Sequence, residues 1–595
     1  MTQPGAPLLP LPTVMLPAWR ATALWVTVAL GLAAVMAEAW QAQVERGPFL
    51  RSQGAQRYLR HFALPAQRGA VLDRSGKPLA LSVPVQTLWV DPRLFNAQRA
   101  QWPQIASLLG VGAATLATRI HSGGSRFAFL ARQIAPERAA AILALHVPGL
   151  YSFNENRRYY PSGSIAAPLL GFTNVDGRGI EGLELAYDQW LRGKAGEETG
   201  LRDNLGHPLA ILGTARPAQP GQTLTLSIDR NIQYVAYTAL ASAVQRFQAR
   251  SGAAVLMNVR TGEILAMASY PSFNPNDRGD FQPSLYNNRA VADTLEPGSV
   301  MKPFTIAAAL DDGSIQADST FDVDTNCFRV AHYCIQDDVR HGTLDLAQVL
   351  KYSSNIGAAK ISLRTPPADL YRMLRNAGFG QVSGLGLPGE AGGTVPAWQG
   401  WDVARRAAMA YGYGLSVTPL QLAAAYGAIA NNGVYVQPTL LRNTGNTPPS
   451  HSQQIMPAAT AARLRDWLTG VTGRGGTGFL AAIPGYSVAG KTGTSIMAHG
   501  KGGFHKHQVN TTFVGFAPAR NPQFVMAVVV RGPTRGWRYG GVVAAPVFRV
   551  TMGTALHQMG VQPDVGAEGW NAAAGKAMTA EQERRWAEGA GDAAH

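Results

Sequence analysis

The sequence predicts an α+β chain. It combines an antiparallel five-stranded sheet, helices on both of its faces and a helical subdomain, preceded by a loop-rich α+β pedestal and an N-terminal transmembrane helix. Three observations carry this. Ala21 to Ala37 is uncharged and almost wholly apolar, at the short end of the membrane-spanning range. Strand-like apolar runs fall into two groups, one around residues 252–269 and one after 486. Between the groups lie roughly 200 residues whose pattern is mostly helical.

The apolar run at 21–37 fits an uncleaved anchor, and Ala37-Glu38-Ala39 also fits a signal-peptidase site; a buried core helix is the weaker third reading so near the N-terminus. On either of the first two readings the rest of the chain is exported. The expected division is a cytoplasmic tail at 1–20, the anchor at 21–37, a polar helical stalk at 38–59, the pedestal at 60–221, a catalytic region at 222–562 and a disordered tail at 563–595. In the pedestal no helical period persists across the Gly and Pro breaks.

Gln222 to Ile228 alternates polar and apolar residues and reads as a strand, after which Asp229 caps a helix to about Gln248. Ala253–Asn258 and Ile264–Ala268 flank a turn at Arg260-Thr261-Gly262 and read as a hairpin. Tyr486–Gly490, Thr511–Ala517 and Phe524–Val530 supply three more strands. The last is apolar on both faces, so both sides of the sheet need cover, expected from helix 230–248 and from a helix spanning Pro546 to Met559.

Composition narrows the function. With 52 Lys and Arg against 37 Asp and Glu the chain carries a net charge of +15, and 46% of it is hydrophobic. The basic balance suits anionic partners such as a membrane surface. No zinc-finger spacing, RNP motif or basic helix points to nucleic acid. Two cysteines, Cys327 and Cys334, are too few for a zinc framework and leave a small disulfide loop open. No cofactor or metal is expected. The His499, His505 and His507 loop at 497–508 reads as a flap over a cleft.

The chemistry concentrates in three short motifs. Of nine lysines only Lys302 has a serine three residues before it, Ser299, in Glu296-Pro-Gly-Ser-Val-Met-Lys302. A Pro-Gly turn followed by an apolar helix puts Ser299 at a helix N-terminus, and i, i+3 spacing puts Lys302 on its face. A desolvated, neutral lysine can take the serine proton. Downstream, Lys491-Thr492-Gly493-Thr494 follows a strand pattern, with the two threonines alternating against Lys491 and Gly493. Lys491 and the hydroxyls would form a cationic pocket for a carboxylate, and Gly493 would let a substrate backbone lie against the strand. Three S-x-N matches exist, at 152–154, 272–274 and 353–355; only Ser353-Ser354-Asn355 lies between the other two motifs.

The order S-x-x-K, S-x-N, K-T-G resembles that of penicillin-recognising serine enzymes, and the chain as a whole resembles the class B penicillin-binding proteins. Arg68-Gly69 to Gly76, Arg158 to Gly163, Gly171 to Gly177, Gly179 to Glu184 and Gly412 to Leu422 are similar to that family's pedestal and catalytic motifs. The string Gly171 to Gly182 most resembles the septal, FtsI-type branch. The resemblance implies the penicillin-binding transpeptidase fold, a single-pass inner-membrane location with a periplasmic catalytic domain at the septum, and D,D-transpeptidation of stem peptides inhibited by beta-lactams. It also implies an FtsW-type glycan polymerase and other division proteins as partners. Ser299 would be the nucleophile and Lys302 the acylation base. Ser353 would relay a proton to the leaving amine, and Asn355 would hold the substrate amide. Lys491, Thr492, Gly493 and Thr494 would bind substrate, with the Ser299 and Thr494 N–H groups as oxyanion hole. An elongation-type enzyme and a division scaffold with little turnover are the alternatives. Ser495 departs from the family's alanine and is expected at the pocket wall.

Overall fold

In the computed structural model, which describes residues 17–49, 59–64, 66–122, 127–202, 208–277, 279, 282–443, 451–498 and 504–566, the chain forms two units: Met1–Ala66 with Lys194–Gln219, and Gln67–Gly193 with Pro220–His595. The tail beyond 566, stalk residues 50–58 and flap residues 499–503, including His499, lie outside the described residues.

In the first unit, helix α1 spans Ala18–Trp40, exceeding the apolar run at both ends. Together with the π turn that extends it to Glu45 it is long and apolar enough to cross a membrane. The same unit holds a three-stranded antiparallel sheet of Leu59–Leu64, Gly196–Arg202 and Pro208–Arg216. Its strands pair with one another, Gly196–Arg202 in the centre.

The second unit begins with the main pedestal sheet, built on a long strand, Pro78–Val90, paired along its length with Leu150–Tyr159. Helices at Trp102–Leu109, Ala113–Ser122 and Pro136–Leu143 pack beside it. At two or three turns each they are too short to show a sustained period in sequence, which is why the pedestal reads as loop-rich. Its motifs converge on one buried ion cluster. Glu184 accepts from Arg68 Nε at 2.6 Å and from Arg158 Nε at 2.7 Å, and Arg68 also bonds Asp188. Arg68 further donates to the carbonyls of Gly177 and Glu184, and Arg158 to that of Gly69.

The catalytic sheet comprises β1 (Ser251–Asn258), β2 (Ile264–Tyr270), β3 (Ala489–Ala498), β4 (Phe504–Ala517) and β5 (Phe524–Arg531). Its antiparallel order is β2-β1-β5-β4-β3, so the inserted subdomain joins the two edge strands. The region read as a strand at 222–228 contributes only Leu224–Thr225, which pairs in parallel with Val71–Leu72 of the pedestal.

Strand β5 shows why both faces need cover. Phe524, Met526, Val528 and Val530 enter one core; Val525 and Ala527 enter the other. Helix α2 (Arg230–Arg246) and the helix at the chain end, Ala545–Gln558, both pack on the first face. The expectation had them covering both faces. The second face is instead covered from the insert by Pro419–Ala430, apolar except at Gln421 and the Tyr426 hydroxyl and buried at every residue. Its Thr418–Gln421 capping box fixes its start.

Replacing Glu184 with Gln would leave two buried guanidiniums facing a neutral group. The expected loss is about 3–5 kcal/mol of stability, read by denaturant unfolding; a loss under about 1 kcal/mol would show that the cluster is solvated.

Candidate active site

The nucleophile follows a left-handed turn at a crowded glycine. Gly298 has φ +63°, and a Cβ there would stand 3.0 Å from the Thr494 carbonyl. The turn opens a 3-10 segment, Gly298–Met301, running into helix α3 (Lys302–Asp311). Lys302 Nζ lies 2.9 Å from Ser299 Oγ. The same nitrogen reaches Asn355 Oδ1 at 2.8 Å, Ser353 Oγ at 3.1 Å and, closer still, the Ser353 carbonyl. The structure therefore brings Ser299, Lys302, Ser353 and Asn355 together.

Ser353 is held in the left-handed region at φ +61°, a strained state for a non-glycine residue. That conformation turns both its carbonyl and its hydroxyl toward Lys302. Helix α4 (Asn355–Arg364) then starts with Ser354 as its cap. Asp337 braces this start, accepting from the N–H groups of Asn355 and Ile356 and from the Ser354 hydroxyl. No motif marks Asp337, which reads only as an acidic residue shortly after Cys327 and Cys334. Those two cysteines are bonded, with Cα atoms 5.2 Å apart.

Lys302 is fully buried. Burial pulls its pKa from 10.5 down to about 7, against the opposing pull of the Asp337 and Asp338 carboxylates. Two of its partners, the Ser353 and Asn355 carbonyls, can only accept. A neutral amine has two protons for those two carbonyls, which leaves its lone pair for a hydroxyl.

Lys491 is placed differently from the expectation. It is fully buried and donates to Ser353 Oγ at 2.8 Å and to the Thr492 carbonyl. Burial and the neighbouring Lys302 charge push its pKa well below the usual lysine value. Thr492 and Thr494 face the cavity, and Thr492 Oγ1 shares a hydrogen bond of 2.8 Å with Thr477 Oγ1. Gly493 also differs: a Cβ there would stand 2.9 Å from the Pro297 carbonyl. Its bareness admits the nucleophile's own turn. Among the described residues strand β3 pairs with β4 alone, so it is an edge strand.

The cavity of about 480 Å³ is lined by Ser299, Ser353, Asn355, Thr492 and Thr494, together with residues the motif search missed: Asp338, Tyr413, Thr477 and Tyr539 among them. Thr477 follows a glycine-rich run, Gly473 to Gly476, that was visible in sequence. The two other S-x-N matches fall elsewhere. Ser152 and Asn154 sit on a pedestal strand, and Ser272 bonds the Ser164 carbonyl of the pedestal.

Ser495 is not on the cavity wall. It is buried, and its hydroxyl donates to the Glu296 carbonyl at 2.6 Å, three residues before Ser299. It thus ties the K-T-G strand to the nucleophile's turn.

A fully buried lysine beside a serine at a helix start, backed by a second lysine across a shared hydroxyl, defines a serine acyltransferase site. The profile of the penicillin binding protein transpeptidase domain matches residues 252–553, and that of the penicillin-binding protein dimerisation domain matches 63–226. The chain belongs to the class B penicillin-binding proteins. It is 39% identical to a probable peptidoglycan D,D-transpeptidase, PbpC, of Pseudomonas aeruginosa, over 88% of this chain and 92% of the relative. It is 38% identical to the peptidoglycan D,D-transpeptidase FtsI of Escherichia coli K12, over 92% of this chain and 93% of that one. Among solved structures, penicillin binding protein 3 of Mycobacterium tuberculosis in complex with aztreonam aligns with TM-score 0.65 at 28% identity, over 85% of this chain and 98% of that one.

Ser495→Ala should lower stability by about 1 kcal/mol through the lost hydrogen bond and slow acylation of Ser299 without weakening the initial binding of a beta-lactam. Stopped-flow separation of binding from acylation checks this; a change confined to binding would contradict it.

Proposed function

We propose that this chain is a peptidoglycan D,D-transpeptidase acting at the division septum through an ester on Ser299, and that beta-lactams inhibit it by acylating the same serine as their ring C–N bond opens. The observation that carries the reading is the buried Lys302 amine, 2.9 Å from Ser299 Oγ, with both of its neutral-state protons engaged by carbonyls.

The donor stem peptide enters with its terminal carboxylate against Thr492, Thr494 and Thr477 hydroxyls, while buried Lys491 contributes from behind. Asn355 donates its amide to the Gln336 carbonyl at 3.0 Å, which leaves its second N–H for the donor's peptide group. Ser299 Oγ attacks the carbonyl of the penultimate D-Ala as its proton passes to the Lys302 lone pair. The Ser299 and Thr494 N–H groups take the developing oxyanion. Ser353, bonded to both lysines, passes a proton to the departing D-Ala nitrogen. An acceptor amine then attacks the ester and forms the cross-link.

Names of the relatives support the activity, and the FtsI relative supports the septal role. The mycobacterial neighbour's complex with aztreonam, a beta-lactam, supports the inhibition. Helix α1 supports anchoring in the cytoplasmic membrane, and in this reading the catalytic unit lies on its outer face. There an FtsW-type glycan polymerase and other division proteins are the expected partners.

The test is to label the full chain in detergent with a fluorescent penicillin and follow the adduct by gel and mass spectrometry. A long-lived adduct on the Ser299 peptide, absent in Ser299→Ala, is expected. Rapid loss of label with release of hydrolysed drug would mark a beta-lactamase instead.

A further inference from the structure

Asp337 and Asp338 are adjacent in sequence and opposite in use. The Asp337 carboxylate is occupied by the start of α4. Asp338 makes no hydrogen bond or ion pair among the described residues, is exposed, and lines the same cavity as Ser299. Its charge reaches Lys302, Lys491, Tyr413 and Tyr539, and it shares the cavity lining with Ser299 and Tyr413.

The donor chemistry has no use for an anion there. A carboxylate is drawn to the hydroxyls of Thr492 and Thr494, and Asp338 repels it. The insert also lines this cavity with Val339, His341 and Tyr352, the last two with ring centroids 4.4 Å apart, beside Ser353, Asn355 and Tyr413. That surface suits a cation carried on a partly apolar stem. A transpeptidase has such a second substrate, a primary amine that arrives largely as its ammonium form.

We infer that Asp338 selects the acceptor: its carboxylate receives the ammonium of an amine-bearing stem and holds it beside the Ser299 ester before attack. This rests on the transpeptidase reading above. The ammonium first releases one proton to solvent. The amine nitrogen then forms the new amide C–N bond as the ester bond to Ser299 Oγ breaks. The amine's second proton passes to Ser299 Oγ through Lys302, which restores the free hydroxyl and the neutral lysine. Asp338 stays charged throughout and forms no covalent bond.

The test uses the full chain in detergent, an N-acyl-D-alanyl thioester as donor, and two nucleophiles competing for one acyl-enzyme. D-Alaninamide is supplied where its ammonium form dominates, with hydroxylamine neutral under the same conditions. Because both intercept the same ester, the ratio of their products is insensitive to any change in acylation or in folded fraction. Asp338→Asn should lower the D-alaninamide to hydroxylamine product ratio about tenfold, the order expected for one partly screened charge pair, and Asp338→Glu should restore most of it. An unchanged ratio in Asp338→Asn would overturn the inference while leaving the transpeptidase reading intact. Failure of the unaltered chain to form a Ser299 ester would remove both.

Discussion

The site depends on one buried amine. Lys302 lies where an ammonium would lose its hydration, a cost of several kcal/mol, and where four oxygens compete for its protons. The resolution that suits both constraints is a neutral amine whose protons go to the Ser353 and Asn355 carbonyls and whose lone pair meets a hydroxyl. Basicity toward Ser299 is therefore a product of packing. Lys491 extends the same logic: it is buried as deeply and holds Ser353 from the other side.

Much of the surrounding architecture serves to keep that arrangement fixed. The turn at Gly298 lets β3 approach the nucleophile, Gly493 makes room for it, and Ser495 bonds the backbone just ahead of it. The buried Pro419–Ala430 helix supports the same turn from beneath, through the Tyr426 hydroxyl, which donates to the Val300 carbonyl at 2.7 Å. On the insert side, Asp337 and the strained Ser353 fix the start of α4. Sheet and insert thus meet at a small number of directional contacts, and the cavity opens between them.

The motifs and five strands were legible because they are local. A serine and lysine three apart on a helix, or threonines alternating on a strand, state their geometry in a few residues. The roles of Lys491 and Gly493 were less legible, since alternation says which residues share a side but not which side meets the cavity. The helix covering the second sheet face was missed as cover because its sequence, polar only at Gln421 and the Tyr426 hydroxyl, has no polar stripe to orient it. Asp337, Asp338, Thr477 and Tyr539 join the site through long-range folding, and no spacing rule links them to Ser299.

The most direct test of this account is the pH dependence of Ser299 acylation by a beta-lactam, followed on the full chain under single-turnover conditions. With Lys302 lowered by burial to about 7, its neutral form is lost as pH falls below that value. The rate should then drop about tenfold per pH unit on the acid side and level off above it. A rate that stays flat well into the acid range, or one still rising toward the ordinary lysine value of 10.5, would contradict Lys302 as the base.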